Sequence, residues 1–302
     1  MNSNFKLVCT HLIRKILNRL QCAAWLLVVF AFPFCLIQAL IEKRRTSVGE
    51  GKAVVCLTTF PRRLPSAVRA LKSICLQLDP PDSIVIVLAR SQFDRVPLQF
   101  ERVSRKSHVD VRVVFTESDL RSYKKVFLYG TIGDKNLITV DDDVIYRPDL
   151  LTKLREVSRH SPHSVVGTRG YQIERDSTGR VKEYSTWKRA IPMVASADVF
   201  LTGVGAILYP PGSLGPSPLD LERACVECPD ADDVWLKYRS LQAGQVSVAT
   251  GETMFEIQPG TQGGALWHRN LTAGANDEHI ELFLGRSRPR PNHPLITGRK
   301  DE

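Results

Sequence analysis

The chain has 302 residues, of which 43% are hydrophobic and 24% charged, so it can fill one large core, and disordered or fibrous classes are excluded. Seven of its 41 basic and two of its 32 acidic side chains fall in the first fifty residues, leaving 34 against 30 beyond. A body near +4 without basic runs interleaved with aromatics excludes a nucleic-acid partner, despite the formal charge of +9.

In chain order, residues 1–21 form a basic segment, and residues 22–41 (CAAWLLVVFAFPFCLIQALI) are uncharged throughout. A helix of that length rises about 30 Å, the thickness of a hydrocarbon core. The segment is too long for a typical secretion signal and lacks a small-residue cleavage site, so a single transmembrane helix is expected, kinked at Pro33. Basic residues on both flanks leave its orientation open. Residues 42–51 read as a linker.

Beyond the linker, apolar runs predict buried strands at Ala53–Leu57, Ser83–Ala89, Val111–Phe115 and Leu137–Val140, with a helical repeat over Pro65–Leu78. Further helices are expected over Pro148–His160 and Asp232–Ala243, and Val199–Leu208 reads as one long strand interrupted by glycines. Alternating strands and helices imply an α/β fold, a mostly parallel sheet flanked by helices, with ligands at the carboxyl ends of the strands. Residues 52–285 make up this domain, and the Pro/Arg-rich residues 286–302 read as a solvated tail.

The fourth strand runs directly into Asp141-Asp142-Asp143. Three carboxylates at one sheet edge repel one another, and a hard divalent ion shared with a diphosphate relieves that repulsion. One aspartate would suffice for a helix-capping turn, the plainer reading. A second acidic cluster, Asp230, Asp232 and Asp233, opens the helix at 232, where charge complementarity with the helix N-terminus accounts for one or two members. Cys225 and Cys228 form a single C-x-x-C without a second metal-ligating pair nearby, and read as packed thiols. With seven cysteines in a chain this long, a disulfide framework is not indicated.

The strings VVCLTTFPRRL, SICLQLDPPDSIVIVLA, YKKV, LITVDDDVIYRPDLL and ADDVWL, in this order and spacing, resemble nucleotide-sugar glycosyltransferases of the GT-A fold. The nearest likeness is to bacterial membrane-associated or surface-polysaccharide enzymes with a D-D-D-x-x-Y motif. The resemblance spans about residues 52–285. It implies a donor-binding loop at Thr58, Thr59, Phe60 and Arg62, a donor-directed Lys125 beside Lys124, and Asp141 and Asp142 against the ribose and metal. It also implies Asp143 as the foremost ligand of Mn2+ or Mg2+, shared with Asp141 and, from the C-terminal region, with His268. Asp232 or Asp233 would be the catalytic base of an inverting transfer to a hydroxyl of a glycan or lipid-linked acceptor. Gly203, Gly205 and Pro210-Pro211-Gly212 would shape the acceptor side.

Tyr171, Tyr184 and Trp187 offer stacking faces for a sugar but suit core packing better. Asn270-Leu271-Thr272 is a glycosylation sequon that matters only in a secretory lumen. The catalytic domain would be cytosolic in a bacterial host and Golgi-lumenal in a eukaryotic one. Two rivals stand beside this reading: a haloacid-dehalogenase-like phosphohydrolase, which wants its acidic motif on the first strand, and a non-catalytic carbohydrate-binding relic of the same fold.

Overall fold

The computed structural model describes residues 52–216, 219–229, 231–253, 255–258, 261 and 275–285. The expected membrane helix at 22–41, the tail at 286–302, Asp230, His268 and the sequon at 270–272 lie outside the described residues. Among the described residues no helix is long and apolar enough to cross a membrane.

A seven-stranded sheet organises the domain. Along the chain come β1 (Ala53–Thr58), α1 (Leu64–Cys75), β2 (Ser83–Ala89), α2 (Leu98–Lys106), β3 (Asp110–Thr116), β4 (Asn136–Val140), β5 (Val144–Tyr146) and α3 (Leu150–His160). They are followed by β6 (Val165–Gly167), β7 (Gly170–Gln172), β8 (Val199–Leu201), β9 (Ala206–Tyr209), α4 (Leu221–Glu227), α5 (Asp232–Gln242), β10 (Ser247–Ala249), β11 (Phe255–Ile257) and α6 (Ala275–Leu284). The sheet order is β10-β6-β9-β4-β1-β2-β3, and only β9 runs against its neighbours. The expected α/β, mostly parallel architecture is therefore present.

Its strands are buried on both faces except at the edge strand β3, where Asp110 and Arg112 are exposed. In β1, Val54 and Cys56 enter one core cluster while Ala53, Val55 and Leu57 enter the other, the period-two alternation of a strand. On the second face, α1 presents Ala67, Ala70, Leu71 and Ile74, all at helical spacing and all fully buried. Pro65 sits in the first turn of α1, where its missing N–H costs nothing. The opposite face is closed by α5, α6 and the short helical turn Arg121–Val126.

β5, β6, β7, β10, β11, α4 and α6 were not expected from the sequence, and two further elements differ from its reading. The apolar run 199–208 is two strands: β8 pairs with β7 in a separate ribbon, and β9 enters the main sheet between β4 and β6. The break falls at Thr202–Gly205, where Gly205 takes φ +113°, a conformation that other side chains resist. The second difference is α2, whose polar sequence buries only Phe100 and Val103.

Candidate active site

β1 and β4 are hydrogen-bonded neighbours and end at the same edge, so Thr58, Thr59 and the three aspartates emerge side by side. Asp141 opens a tight turn into β5, and its amide donates to the Tyr146 hydroxyl at 2.6 Å. Tyr146 is fully buried, and its own amide donates to Ser73 Oγ of α1 at 3.1 Å, so the last residue of D-D-D-x-x-Y fastens the turn from below. Thr59 Oγ1 donates to Asp142 Oδ2 at 2.6 Å. Arg63 Nη1 lies 2.9 Å from Asp142 Oδ1 and 3.1 Å from Asp143 Oδ2, bridging the two carboxylates. Lys125 Nζ donates to Asp141 Oδ1. The Asp143 carbonyl in turn accepts from the amide of Gln258, just past β11, at 2.8 Å.

This geometry sorts the expected donor residues. Asp142 is 6% exposed and its carboxylate is held by Thr59 and Arg63, so it anchors the turn. Thr58 gives its hydroxyl to the Val87 carbonyl of β2 at 2.7 Å and serves the sheet. Phe60 and Arg62 are exposed on the loop, Phe60 at 39%. The arginine turned onto the aspartates is Arg63, which the sequence reading passed over. An adjacent lysine pair usually means a solvated surface, but here both are drawn inward: Lys124 is 3% exposed and paired with Asp119, and the Lys125 side chain is 16% exposed on Asp141.

The second acidic cluster lies within reach of the same lysine. Burial alone would lower the Lys125 ammonium, but Asp141, then Asp232 and Asp233, hold it well above its ordinary value. Lys125 thus stands between the acidic turn and the first residues of α5. Ala231 is the N-cap of that helix and offers no capping side chain, so the cap role falls to neither aspartate. Asp233 Oδ2 instead accepts from the Gly203 amide at 2.8 Å, across the turn that splits β8 from β9. A Cβ at position 203 would lie 2.8 Å from Asp233 Oδ1, so any larger residue there would push that carboxylate aside. Burial and then the charge of Asp232 push the Asp233 carboxyl up to about 8, against the Gly203 amide and Lys125. Asp232 is also raised by burial, with Lys125 opposing.

On the acidic turn, burial and then Asp141 push Asp143 up to about 6, with Arg63 opposing. Asp142 rises for the same first reason, against Arg63 and Thr59. Three carboxylates therefore share one low-dielectric corner with two resident cations, Arg63 and Lys125. Among the described residues no set of three or more His, Cys, Asp or Glu side chains would hold a metal ion unaided. Asp141 and Asp143 fit the smaller donor set of a hard divalent ion that takes its remaining oxygens from phosphate and water. Their mutual repulsion, felt in the raised Asp143, is the condition such an ion relieves.

The aromatics behave as packing. Tyr184 meets Tyr171, Trp187 and Phe200 edge-on at 5.1–5.8 Å, and Trp187 is buried. Tyr171 remains half-buried. Cys228 is buried, with its thiol directed to the Ala231 carbonyl at 3.2 Å, and Cys225 is a free thiol, so the C-x-x-C is packed.

The fold, a mostly parallel central sheet flanked by helices, is consistent with the GT-A type. Among solved structures, the chain is similar to the mannosyltransferase PcManGT of Pyrobaculum calidifontis, in complex with GDP-Man and Mn2+, at TM-score 0.52 and 15% identity, covering 91% of this chain and 78% of that one. It is also similar to residues 1–349 of TarS from S. aureus in complex with UDP-GlcNAc, at TM-score 0.50 and 15% identity, covering 77% of this chain. The chain spans 65% of the length of that TarS structure. The likeness is one of fold. No protein-family model matches the chain, and no curated protein matches it.

Proposed function

We propose that this protein is a metal-dependent, inverting glycosyltransferase that moves a sugar from a nucleotide-diphosphate donor to a hydroxyl of a glycan or lipid-linked acceptor. One observation carries the reading: Lys125 joins two acidic clusters with different chemistry, a partnered turn at the strand ends and a raised carboxyl pair at the start of α5. Cleaving a sugar–diphosphate bond while deprotonating an acceptor needs one of each.

In this reading Arg63 and Lys125 keep the acidic turn compact and Thr59 fixes Asp142 beside it. A divalent ion held by Asp143 and Asp141, with His268 as a further donor, would supply positive charge to the departing diphosphate. Asp233, aimed by the Gly203 amide, takes the proton from the acceptor hydroxyl as its oxygen bonds to the anomeric carbon and the bond from that carbon to the diphosphate breaks. A carboxyl pushed up to about 8 is a stronger base than an ordinary one, and Asp232 keeps it so by repulsion. Asp232 is the neighbour that tunes, Asp233 the one that accepts. The helix at residues 22–41 would hold this domain at a membrane surface.

The haloacid-dehalogenase-like alternative is poorly supported, because the acidic turn follows β4, after three earlier strands. The test is a panel of nucleotide sugars incubated with the full-length protein, with and without Mn2+. Turnover of one of them that requires the ion, and falls roughly 10²–10³-fold in Asp143→Ala, is the expected result. Release of phosphate from simple esters without any nucleotide-sugar turnover would sink the proposal.

A further inference from the structure

Beside the candidate base lies a positive patch that the transfer chemistry has not used. Arg169 follows β6, and its carbonyl accepts from the Thr202 amide at 3.1 Å, one residue before the glycine that holds Asp233. Arg189 lies directly across a bridge from Tyr171 of β7. Tyr171 carries both: its hydroxyl accepts from Arg169 Nη2 at 2.6 Å, and the Arg189 guanidinium stands 4.6 Å from its ring centroid. The patch and the base share one field, since Asp233, Arg169 and Arg189 all act on the Tyr184 hydroxyl next to Tyr171.

Neither arginine has a carboxylate partner among the described residues. Other arginines differ: Arg63, Arg147 and Arg223 are each paired with an aspartate or glutamate at 2.7–3.1 Å, while Arg175 and Arg239 go to backbone carbonyls. Arg169 Nε is moreover buried without any hydrogen-bond acceptor among the described residues. Buried donors are almost always satisfied, so an orphan one beside the exposed Arg189 has room for an acceptor from outside. Two guanidiniums on one ring also repel each other until an anion sits between them. Planar guanidinium pairs suit phosphate and carboxylate oxygens better than neutral hydroxyls.

We infer that the acceptor is an anionic glycan whose phosphate or carboxylate oxygens are bound by Arg169 and Arg189, with Tyr171 holding the two guanidiniums in place. This rests on the transferase reading for the word acceptor, but the anion site itself does not depend on it. The bland account, a cross-strand stack on a surface ribbon, predicts no charge selectivity.

The experiment is calorimetry on the full-length protein in detergent, without donor, using three oligosaccharides of equal length: one neutral, one bearing a uronate, one bearing a phosphomonoester. At low salt at least one anionic member should bind tenfold or more tightly than the neutral one, and the tighter of the two names the group. Arg169→Gln and Arg189→Gln should each erase most of that preference, and salt should weaken it. Equal binding of all three, or variants that weaken neutral and anionic members alike, would overturn the inference. Nucleotide-sugar turnover, measured in parallel, separates the two ideas: its absence strikes the transferase reading, whereas loss of charge selectivity strikes this one.

Discussion

The two halves of the site solve the problem of buried charge in opposite ways. On the acidic turn every carboxylate has a cation on it, Lys125 on Asp141 and Arg63 across Asp142 and Asp143. At the start of α5 burial outweighs Lys125: it raises Asp232 together with Asp141, and Asp233 together with Asp232, while Arg169 and Arg189 nearby have no carboxylate among the described residues. A partnered half is stable while it waits for a ligand. A half held by an amide and without a salt bridge among the described residues is costly but reactive, because no cation is bonded to the base. The difference teaches where binding ends and chemistry begins.

The sharpest way to break that comparison is to remove the reactive half. Asp233→Asn should lower kcat about 10³-fold with little change in the KM for donor, since a base acts only in the transition state. In the parent protein the rate should rise with pH until about 8, because a carboxyl whose value is pushed up must lose its proton before it can take one. A flat profile from pH 5 to 9 would assign the base elsewhere. The partnered half should answer in stability instead. Arg63→Ala leaves Asp142 and Asp143 facing each other, which should cost about 1–3 kcal/mol in denaturant unfolding, discounted for the partial exposure of the arginine.

Smaller effects sharpen the boundary. Gly203→Ala puts a methyl against Asp233 Oδ1 and should reduce kcat roughly tenfold while the fold persists. Parent-like kinetics would mean that Asp233 moves freely. The smallest effect concerns Lys237, one turn along α5 from Asp233, buried and bonded to Ser247 Oγ at 3.1 Å. Burial pushes its ammonium down to about 7 from 10.5, so the unfolded chain binds the proton that the fold refuses. The cost of that lysine is full below about pH 7 and vanishes as the pH climbs through 10.5. Lys237→Met should therefore stabilise the protein by about 1 kcal/mol at pH 6, with the gain fading by pH 10. A gain that grows with pH would contradict the sign.

Most of the central sheet was legible because its strands are continuous apolar runs, and the acidic turn was legible because β4 delivers it without a break. What escaped depends on three-dimensional company. Nothing in Lys124-Lys125 says that both are drawn inward, since their partners Asp119 and Asp141 lie on other segments. Arg62 and Arg63 differ only by a step around the short turn Pro61–Arg63, and that step decides which one faces the aspartates. The run 199–208 stays apolar through its turn, so two glycines were the only sign that it serves two sheets. α2 was illegible for the opposite reason, having too few buried residues to mark a helical face.

The hydroxyl of Tyr146 gives the six-letter acidic string a mechanical meaning. Asp141 leaves its strand with an amide that the turn cannot satisfy, and the phenol five residues later is what accepts it. Among distant homologues, then, the closing letter can be read as a fastener instead of a reagent. A chain that keeps the aspartates but swaps this phenol for a benzyl ring has to find another acceptor for that amide, or let the turn slacken.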